Sequence, residues 1–334
     1  MNDNNTKEWG DISQAYFLKK NAWDITYKFC RAVLLFGLCF LILQPLLDKL
    51  SVSFMGTQDL YDGTVISIPR NFTLENYSRV NSLIGYWPSL FQTLIIVISS
   101  ALLQIAACTC AGYSFARFKF PFKNFWFFCV MIIIIVPPQT IMASLYLNFR
   151  FFDVVGIIRL INGKPVNLLN NVLGLLLLSA TGMGLKSGLY IFMLRQYFRG
   201  MPKELEEAAW VDGCGKFKTF IRIMLPDAMP ILTSCFLFSF VWQWTDSFFS
   251  TLFLSNYRML ARGLGSLAER YSQWYAQVFV AAAGGGGVSA FAPVAQTQMM
   301  IATGVLMCLA PLILLYLVAQ KAFVESLSQT GIKM

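Results

Sequence analysis

Long apolar runs separated by short charged segments set the pattern of this chain. The first run, about Phe29–Leu47, follows a polar lead carrying Lys7, Lys19, Lys20 and Lys28, and has the length a bilayer core requires. Five more cover about Leu90–Ala116, Phe125–Leu147, Val172–Leu194, Ala228–Leu254 and Met299–Ala319. Read as spans, they predict an all-α membrane protein with six transmembrane helices. A signal peptide competes for the first run, but the long polar lead and Asp48-Lys49, where small cleavage-site residues are expected, argue against it. The third run is interrupted by Val136-Pro137-Pro138. Prolines free carbonyls that lipid cannot satisfy, so this kink either faces protein or a water-filled path, or is purely structural.

The intervening segments give the organisation. Residues 1–28 form a cytosolic tail with a surface helix around Ile12–Ala22. Residues 29–86 hold the first span and an external loop, residues 87–320 the remaining spans, and residues 321–334 a cytosolic tail. Phe149–Asn171 and Asn256–Gln298 are external, the latter containing the run Gly284–Gly287. No internal repeat is present.

The longest strongly polar segment between two apolar runs is Met201–Pro230. Pro202 suits a first helical turn, and Glu204, Glu206 and Glu207 favour the positive end of a helix dipole. Ala208 and Ala209 are small enough for another surface to approach closely. Gly213 reads as a stop in the left-handed conformation. Lys216–Met224 restarts a helix, with Phe217, Phe220, Ile221 and Met224 on one side and Lys218 and Arg222 towards the other. Pro226 closes it. The segment is a bent pair of short helices between two spans.

Composition agrees with the pattern. The 334 residues are 57% hydrophobic and 13% charged, with mean hydropathy +0.59, against about a quarter charged in soluble domains. A net charge of +9 raises nucleic acid as a partner, but most Lys and Arg fall on the cytosolic side of the six-span topology, as the positive-inside rule describes. No nucleic-acid role follows. Histidine is absent, which removes Ser/His and Cys/His catalysis and HExxH zinc sites. None of the eight cysteines falls in an external loop, so they read as small apolar residues rather than disulfides. Cys108-Thr109-Cys110 lacks partners for a metal site.

A few polar residues lie inside the apolar runs. Gly182-Met183-Gly184-Leu185-Lys186-Ser187 superficially looks like a phosphate loop, but Leu185 replaces the glycine required before the lysine and the segment sits inside an apolar run. No ATP site follows, and no cofactor is expected. Lys186 is costly within a span, and two readings stay open: a pathway or counter-charge role, or a structural pairing with a neighbouring helix. Ser239, Trp242, Gln243 and Asp246 share one helical face. Such a face suits a sugar path, with hydroxyls bonded by polar groups and a ring face stacked on indole; alternatively Trp242 and Trp244 belong to the aromatic belt of the outer interface. Asp246 stands roughly 12 Å higher in the membrane than Lys186 at about 1.5 Å per residue, so a direct pair is not favoured.

The polar segment also carries a family resemblance. Glu207-Ala208-Ala209, then Asp212-Gly213, Ile223 and Leu225-Pro226, with Met201-Pro202 and Glu204-Leu205 before them, resembles in full the EAA loop of ATP-binding-cassette (ABC) importer permeases of the carbohydrate-uptake, maltose-permease G-like type. Tyr113-Ser114-Phe115-Ala116-Arg117-Phe118-Lys119-Phe120-Pro121 is similar to a stretch of the same family, as is the tail Gln320-Lys321-Ala322-Phe323-Val324 to Gly331-Ile332-Lys333, with Ser326-Leu327 where a glycine usually precedes the leucine. The loops 149–171 and 256–298 are longer than in the family. The resemblance covers most of residues 86–334. It implies the type I ABC importer permease fold, in a bacterial plasma membrane with both termini cytosolic, and a coupling loop at 197–226. It also implies a second homologous permease subunit, a cytosolic ABC ATPase dimer that binds the ATP, and an extracellular solute-binding protein. The cargo would be a sugar or oligosaccharide, or in the alternative a sugar phosphate, polyol or glycan fragment; this subunit itself would not be an enzyme. Glu207, Ala208, Ala209, Asp212, Gly213, Ile223, Leu225 and Pro226 would contact the ATPase. Lys186, Ser239, Trp242, Gln243 and Asp246 are the candidates for the path. A secondary transporter is a distant alternative, because it calls for inverted repeats and several ionisable residues at membrane depth.

Overall fold

The computed structural model describes residues 3–153, 156–282 and 291–331. The run Gly284–Gly287 and the tail residues Ile332 and Lys333 lie outside them. The chain divides into two compact units, one ending at Leu74 and the other beginning at Glu75.

The first unit is built on α1 (Asp3–Ser53). The separate surface helix expected near Ile12–Ala22 is instead the start of this single helix. Within its portion Ile25–Ser53, the most apolar 18-residue stretch has mean hydropathy 2.1 and no residue of it is buried in protein. A helix apolar on every side is one solvated by lipid. After α1 the chain folds back: Gly56 N donates to Asn71 O (3.0 Å) and Thr73 N to Phe54 O (2.9 Å), with Phe54 stacked on Phe72 at 4.8 Å. Asp59 closes this loop by accepting from Asn71 N (2.8 Å) and Asn71 Nδ2 (2.7 Å).

Among the described residues, the regular elements of the second unit are helices, joined by turns and an isolated antiparallel bridge between Phe152 and Val166. α2 (Glu75–Ile84) is followed across Gly85 by α3 (Tyr86–Arg117), then α4 (Lys123–Ile135), α5 (Met142–Arg150) and α6 (Ile157–Asn162). α7 (Val172–Ala180), α8 (Ser187–Gly200) and α9 (Glu204–Val211) come next. A helix with a π turn at its middle follows: α10 (Lys216–Thr219), the π turn Phe220–Met224 and α11 (Leu225–Asp227). The chain ends with α12 (Met229–Thr245), α13 (Phe248–Phe253), α14 (Leu260–Gly265), α15 (Leu267–Ala282) and α16 (Val294–Gly331).

α3 is the axis of this unit. Its 32 residues span about 48 Å at 1.5 Å per residue, and it packs against α7, α8 and α12. At Gly112 a Cβ would stand 2.9 Å from Leu194 Cβ, so only glycine lets α8 lie this close to α3, as small residues do between membrane helices. One apolar core joins the C-terminal half of α3 to α8 and α12 through Cys108, Tyr190, Leu194, Phe198, Met224 and Cys235. A second lies towards the other end, around Ile96, Phe149, Leu178 and Phe253.

Among the described residues, three helical stretches are long and apolar enough to cross a membrane: Ile25–Ser53, Tyr86–Arg117 and Val294–Lys321. The number rises to five if each bent pair is one span. Three of the expected spans depart from single rods. The third bends by 101° between α4 and Pro138–Arg150, because Pro137 and Pro138 supply no N–H and hold the preceding residue extended. The fourth, expected as continuous over Val172–Leu194, is interrupted between α7 and α8, where Gly182 (φ +69°) and Lys186 (φ +62°) are left-handed. The fifth, expected to run to Leu254, ends at Thr245; Asp246 is extended and α13 starts afresh.

Candidate functional site

The polar segment that follows Met201 is keyed into the bundle by its second glutamate. Glu206 is buried (5% exposed) and accepts a hydrogen bond from Tyr113 Oη at 2.8 Å. Arg117 Nε lies 3.4 Å from the same carboxylate oxygen, and Arg117 Nη2 donates to Met201 O at 2.8 Å. Tyr113 in turn packs against Phe198 and Phe220, at ring distances of 5.3 Å and 4.6 Å. The last turn of α3 therefore holds both the entry to α9 and the π turn beyond it. This pairing was not singled out in the sequence. The available signal was the three-residue spacing of Glu206 and Ala209, which puts both on one face of α9; both are buried.

The remaining face of α9 is open. Glu207 and Ala208 are exposed, as are Leu205, Trp210 and Val211 (87%). Ala209 is 4% exposed and belongs to the core, so of the alanine pair only Ala208 offers a close approach to another surface. α9 ends in a Schellman motif: Cys214 N donates to Ala209 O (2.9 Å) and Gly213 N to Trp210 O (3.0 Å), with Gly213 at φ +76°. The motif satisfies the last carbonyls of the helix and fixes the angle at which the chain leaves it. Asp212 N donates to Ala208 O (3.0 Å) within the same turn.

The helix after Gly213 differs from the expected amphipathic stripe. Met224 is buried and Phe220 packs on the core, while Phe217 (76% exposed) and Ile221 (43%) face outward. The π turn over Phe220–Met224 takes more residues per turn than an α-helix, which splits a stripe laid out for period 3.6. Pro226 does not end this helix; it is carried within α11, and the break comes at Ala228, where the axis turns by 75° into α12. Ile223 and Leu225 are half-buried and Pro226 is exposed.

A polar seam lies halfway along α3. Gln104 is fully buried. Its Nε2 donates to Leu185 O (2.7 Å) and Ser187 Oγ (2.7 Å), while its Oε1 accepts from Ser239 Oγ (2.7 Å) and Gln243 Nε2 (2.8 Å). One turn away, Ser100 and Ser179 share a hydrogen bond of 2.6 Å. One amide thus ties α3 to the α7–α8 break and to α12. An amide alone in an apolar run was the signal for Gln104, because such groups find partners on neighbouring helices.

Of the five candidate path residues, the structure gathers four. Ser239 and Gln243 bond to Gln104. Lys186 Nζ sits 5.0 Å from the centroid of the Trp242 ring, a cation–π distance, and both residues are exposed. Lys186 is not inside a helix as expected; it precedes α8 in a left-handed conformation. Asp246 leaves the shared face altogether. Its carboxylate accepts from the backbone N–H groups of Phe248 (3.2 Å), Phe249 (2.9 Å) and Ser250 (3.1 Å), capping the start of α13. Trp244 is not an interfacial residue: it is 3% exposed and donates to Cys308 O at 3.1 Å. Beside the seam, a cavity lined in part by Ser179, Gly184, Gln243 and Asp246 measures about 20 Å³. That holds about one water molecule and no sugar ring.

Comparison with known proteins places this architecture. Residues 108–329 match the family described as the binding-protein-dependent transport system inner membrane component. The chain is 30% identical to a probable ABC transporter permease protein of Pyrococcus horikoshii over 66% of its own length and 74% of that protein's. It is 25% identical to the arabinooligosaccharides transport system permease protein of Halalkalibacterium halodurans, over 89% of this chain and 93% of the relative. In fold it resembles a chain in the crystal structure of a bacterial ABC transporter involved in the import of the acidic polysaccharide alginate, with TM-score 0.65 and 20% identity over 90% of this chain and 97% of the other. The chain belongs to the family of binding-protein-dependent transport system inner membrane components, as a multi-pass permease with the type I ABC importer fold.

Proposed function

We propose that this chain is the membrane subunit of an ATP-driven importer for sugars or oligosaccharides, forming half of the translocation path. α9 would sit in a cleft of a cytosolic ATPase dimer; a second permease subunit and an external solute-binding protein would complete the machine. The chain itself would hydrolyse nothing. The observation that carries this reading is the two-sided construction of α9: Glu206 and Ala209 are locked to α3 and the core, while Glu207, Ala208, Trp210 and Val211 are left open beside a fixed Gly213 turn. An exposed apolar patch on a short, rigidly seated helix is what a partner surface requires. Motion of that partner would pass through Glu206 and Arg117 into α3, and so to the Gln104 seam. Sugar as cargo is supported by the arabinooligosaccharide relative. Lys186 and Trp242 are the proposed path groups, because the Ser239 hydroxyl and the Gln243 Nε2 are bonded inside the protein.

The test is to purify the tagged chain from its native membrane and identify what accompanies it. The expected partners are a P-loop ATPase and one further permease, with ATP hydrolysis stimulated by a sugar-loaded binding protein. A lone chain whose uptake ignores ATP depletion would overturn the reading.

A further inference from the structure

At the end of α3 opposite Arg117, a pocket of about 320 Å³ opens between α2, α3 and α14. Its lining includes three arginines, Arg258, Arg262 and Arg270, with Gly85 and Ser89 from the start of α3, and contains no carboxylate. Two of the guanidinium groups are anchored by the backbone. Arg262 Nη1 donates to Leu254 O at 2.8 Å; Arg270 Nη1 donates to Leu83 O at 3.0 Å and its Nε to Ser266 Oγ at 3.0 Å. Each anchored group keeps donors that these bonds do not use, since arginine carries five. Arg258 is fixed through its main chain, which donates to Gln92 Oε1 at 3.0 Å. Its guanidinium comes within 3.4 Å of where a Cβ on Gly85 would stand. Gly85 is left-handed (φ +60°) and caps α3 without a side chain, so the first N–H groups of a long helix add positive potential at the same place.

The acids on the adjoining helices do not neutralise the pocket. Glu75 pairs with Arg79, and Glu269 accepts from Gln273. Among the described residues, none of the three lining arginines has a carboxylate within ion-pair distance. With Arg258 and Arg270 exposed and Arg262 half-buried, the three guanidinium groups leave a positive potential around one space that an anion would neutralise. The volume exceeds that of a lone carboxylate and reaches the range of small-molecule sites.

We propose that this pocket binds the anionic group of a monosaccharide-sized solute: a carboxylate or phosphate on a polyhydroxylated ring, held by paired N–H donors of Arg258, Arg262 and Arg270. With α9 in the cytosol, the pocket lies at the external mouth of the bundle and selects acidic cargo or holds it there. This rests on the orientation and the sugar cargo given under the proposed function.

The test uses the full chain with whatever subunits accompany it, in bilayer discs of neutral lipid, without ATP or binding protein. Equilibrium dialysis compares glucuronate, glucose 6-phosphate and glucose. The proposal expects one or both anions to bind, glucose not to, and binding to weaken with added salt; the stronger anion distinguishes carboxylate from phosphate. Arg258→Gln should weaken binding about tenfold, Arg258→Glu should abolish it, and Arg258→Lys should retain part. Because the Arg258 side chain makes no backbone bond, these variants spare the helix anchors, and gel filtration verifies that they fold. Equal binding of all three sugars, binding of none, or unchanged affinity in Arg258→Glu overturns the proposal. So does a pocket that ignores small anions while Arg258→Glu blocks stimulation by the binding protein, which would assign it to a protein carboxylate. Because no ATPase step is involved, failure here leaves the importer reading intact, and failure of co-purification leaves the binding result standing.

Discussion

Arg117 Nε and Glu206 Oε1 lie 3.4 Å apart, with the two side chains 7% and 6% exposed. They join the last residue of the central helix α3 to the first turn of α9. Removing one partner of a buried pair leaves an uncompensated charge, which costs about 3–5 kcal/mol, whereas removing both is far milder. Glu206→Ala should therefore lower the melting temperature of the purified complex by several degrees. The double variant Glu206→Leu/Arg117→Leu should recover much of that loss. Uptake should fall in both, because the apolar pair restores packing but not the hydrogen bonds from Tyr113 and to Met201. A double-mutant cycle on melting and uptake checks this.

Gly213 holds φ +76° in open space, so its role is conformational rather than steric. Gly213→Ala should cost about 1–2 kcal/mol of strain, and Gly213→Asn less, because Asn tolerates the left-handed region. Gly213→Pro cannot adopt this angle and would redirect the chain after α9. Uptake in membrane vesicles should follow the order Gly, Asn, Ala, Pro, with membrane insertion unchanged. Equal uptake across the series would remove the turn from the account.

Gln104 supplies both ends of its amide to partners on α8 and α12. Gln104→Leu takes the acceptor from the Ser239 hydroxyl and the donor from Leu185 O and Ser187 Oγ, leaving Gln243 bonded to Ser239, at about 1–3 kcal/mol for each group left unsatisfied. A clear loss of thermal stability is expected. Lys186→Gln should instead leave stability within about 0.5 kcal/mol, as an exposed position does, and slow uptake if Lys186 and Trp242 line the path. Comparing melting with uptake in the two variants separates scaffold from path.

The loop that follows α1 carries its own pH dependence. Hydrogen bonds from the Asn71 backbone and side chain hold the Asp59 carboxyl below its ordinary value of 3.8. A group with a lowered folded pKa stabilises the fold above its unfolded value, and that contribution fades as pH falls through the folded one. Protease sensitivity of residues 55–73 should thus stay low at neutral pH and rise below about pH 4. Asp59→Asn should remove most of this pH dependence.

Much of this architecture was legible because bilayer-length apolar runs and the spacing from Glu207 to Pro226 act through local rules. What was not legible needed a partner from elsewhere in the chain. Glu206 and Glu207 are chemically identical neighbours, and only the position of α3 makes one a buried anchor and leaves the other exposed. The break between α7 and α8 was hidden because Gly182 and Gly184 sit in a run apolar enough for a span. Gln104 stabilises the broken form by donating its Nε2 hydrogen to the Leu185 carbonyl, which the interrupted helix leaves without an intrahelical donor. Asp246 looked like a member of a polar face because α12 was read through it; the local preference of Asp for capping a helix start took it out of that face. The stripe from Phe217 to Met224 was split by a π turn, which period-3.6 reasoning does not anticipate.

Ala208 bears most directly on the central claim, that the open face of α9 receives the motion driving transport. It is exposed, so Ala208→Phe should fold and insert normally while obstructing a close-fitting partner. In vesicles reconstituted with the complete transporter, ATP hydrolysis and sugar uptake should be measured together. The account predicts uptake near background, with hydrolysis no longer raised by sugar-loaded binding protein. Uptake and stimulation at wild-type levels would contradict it.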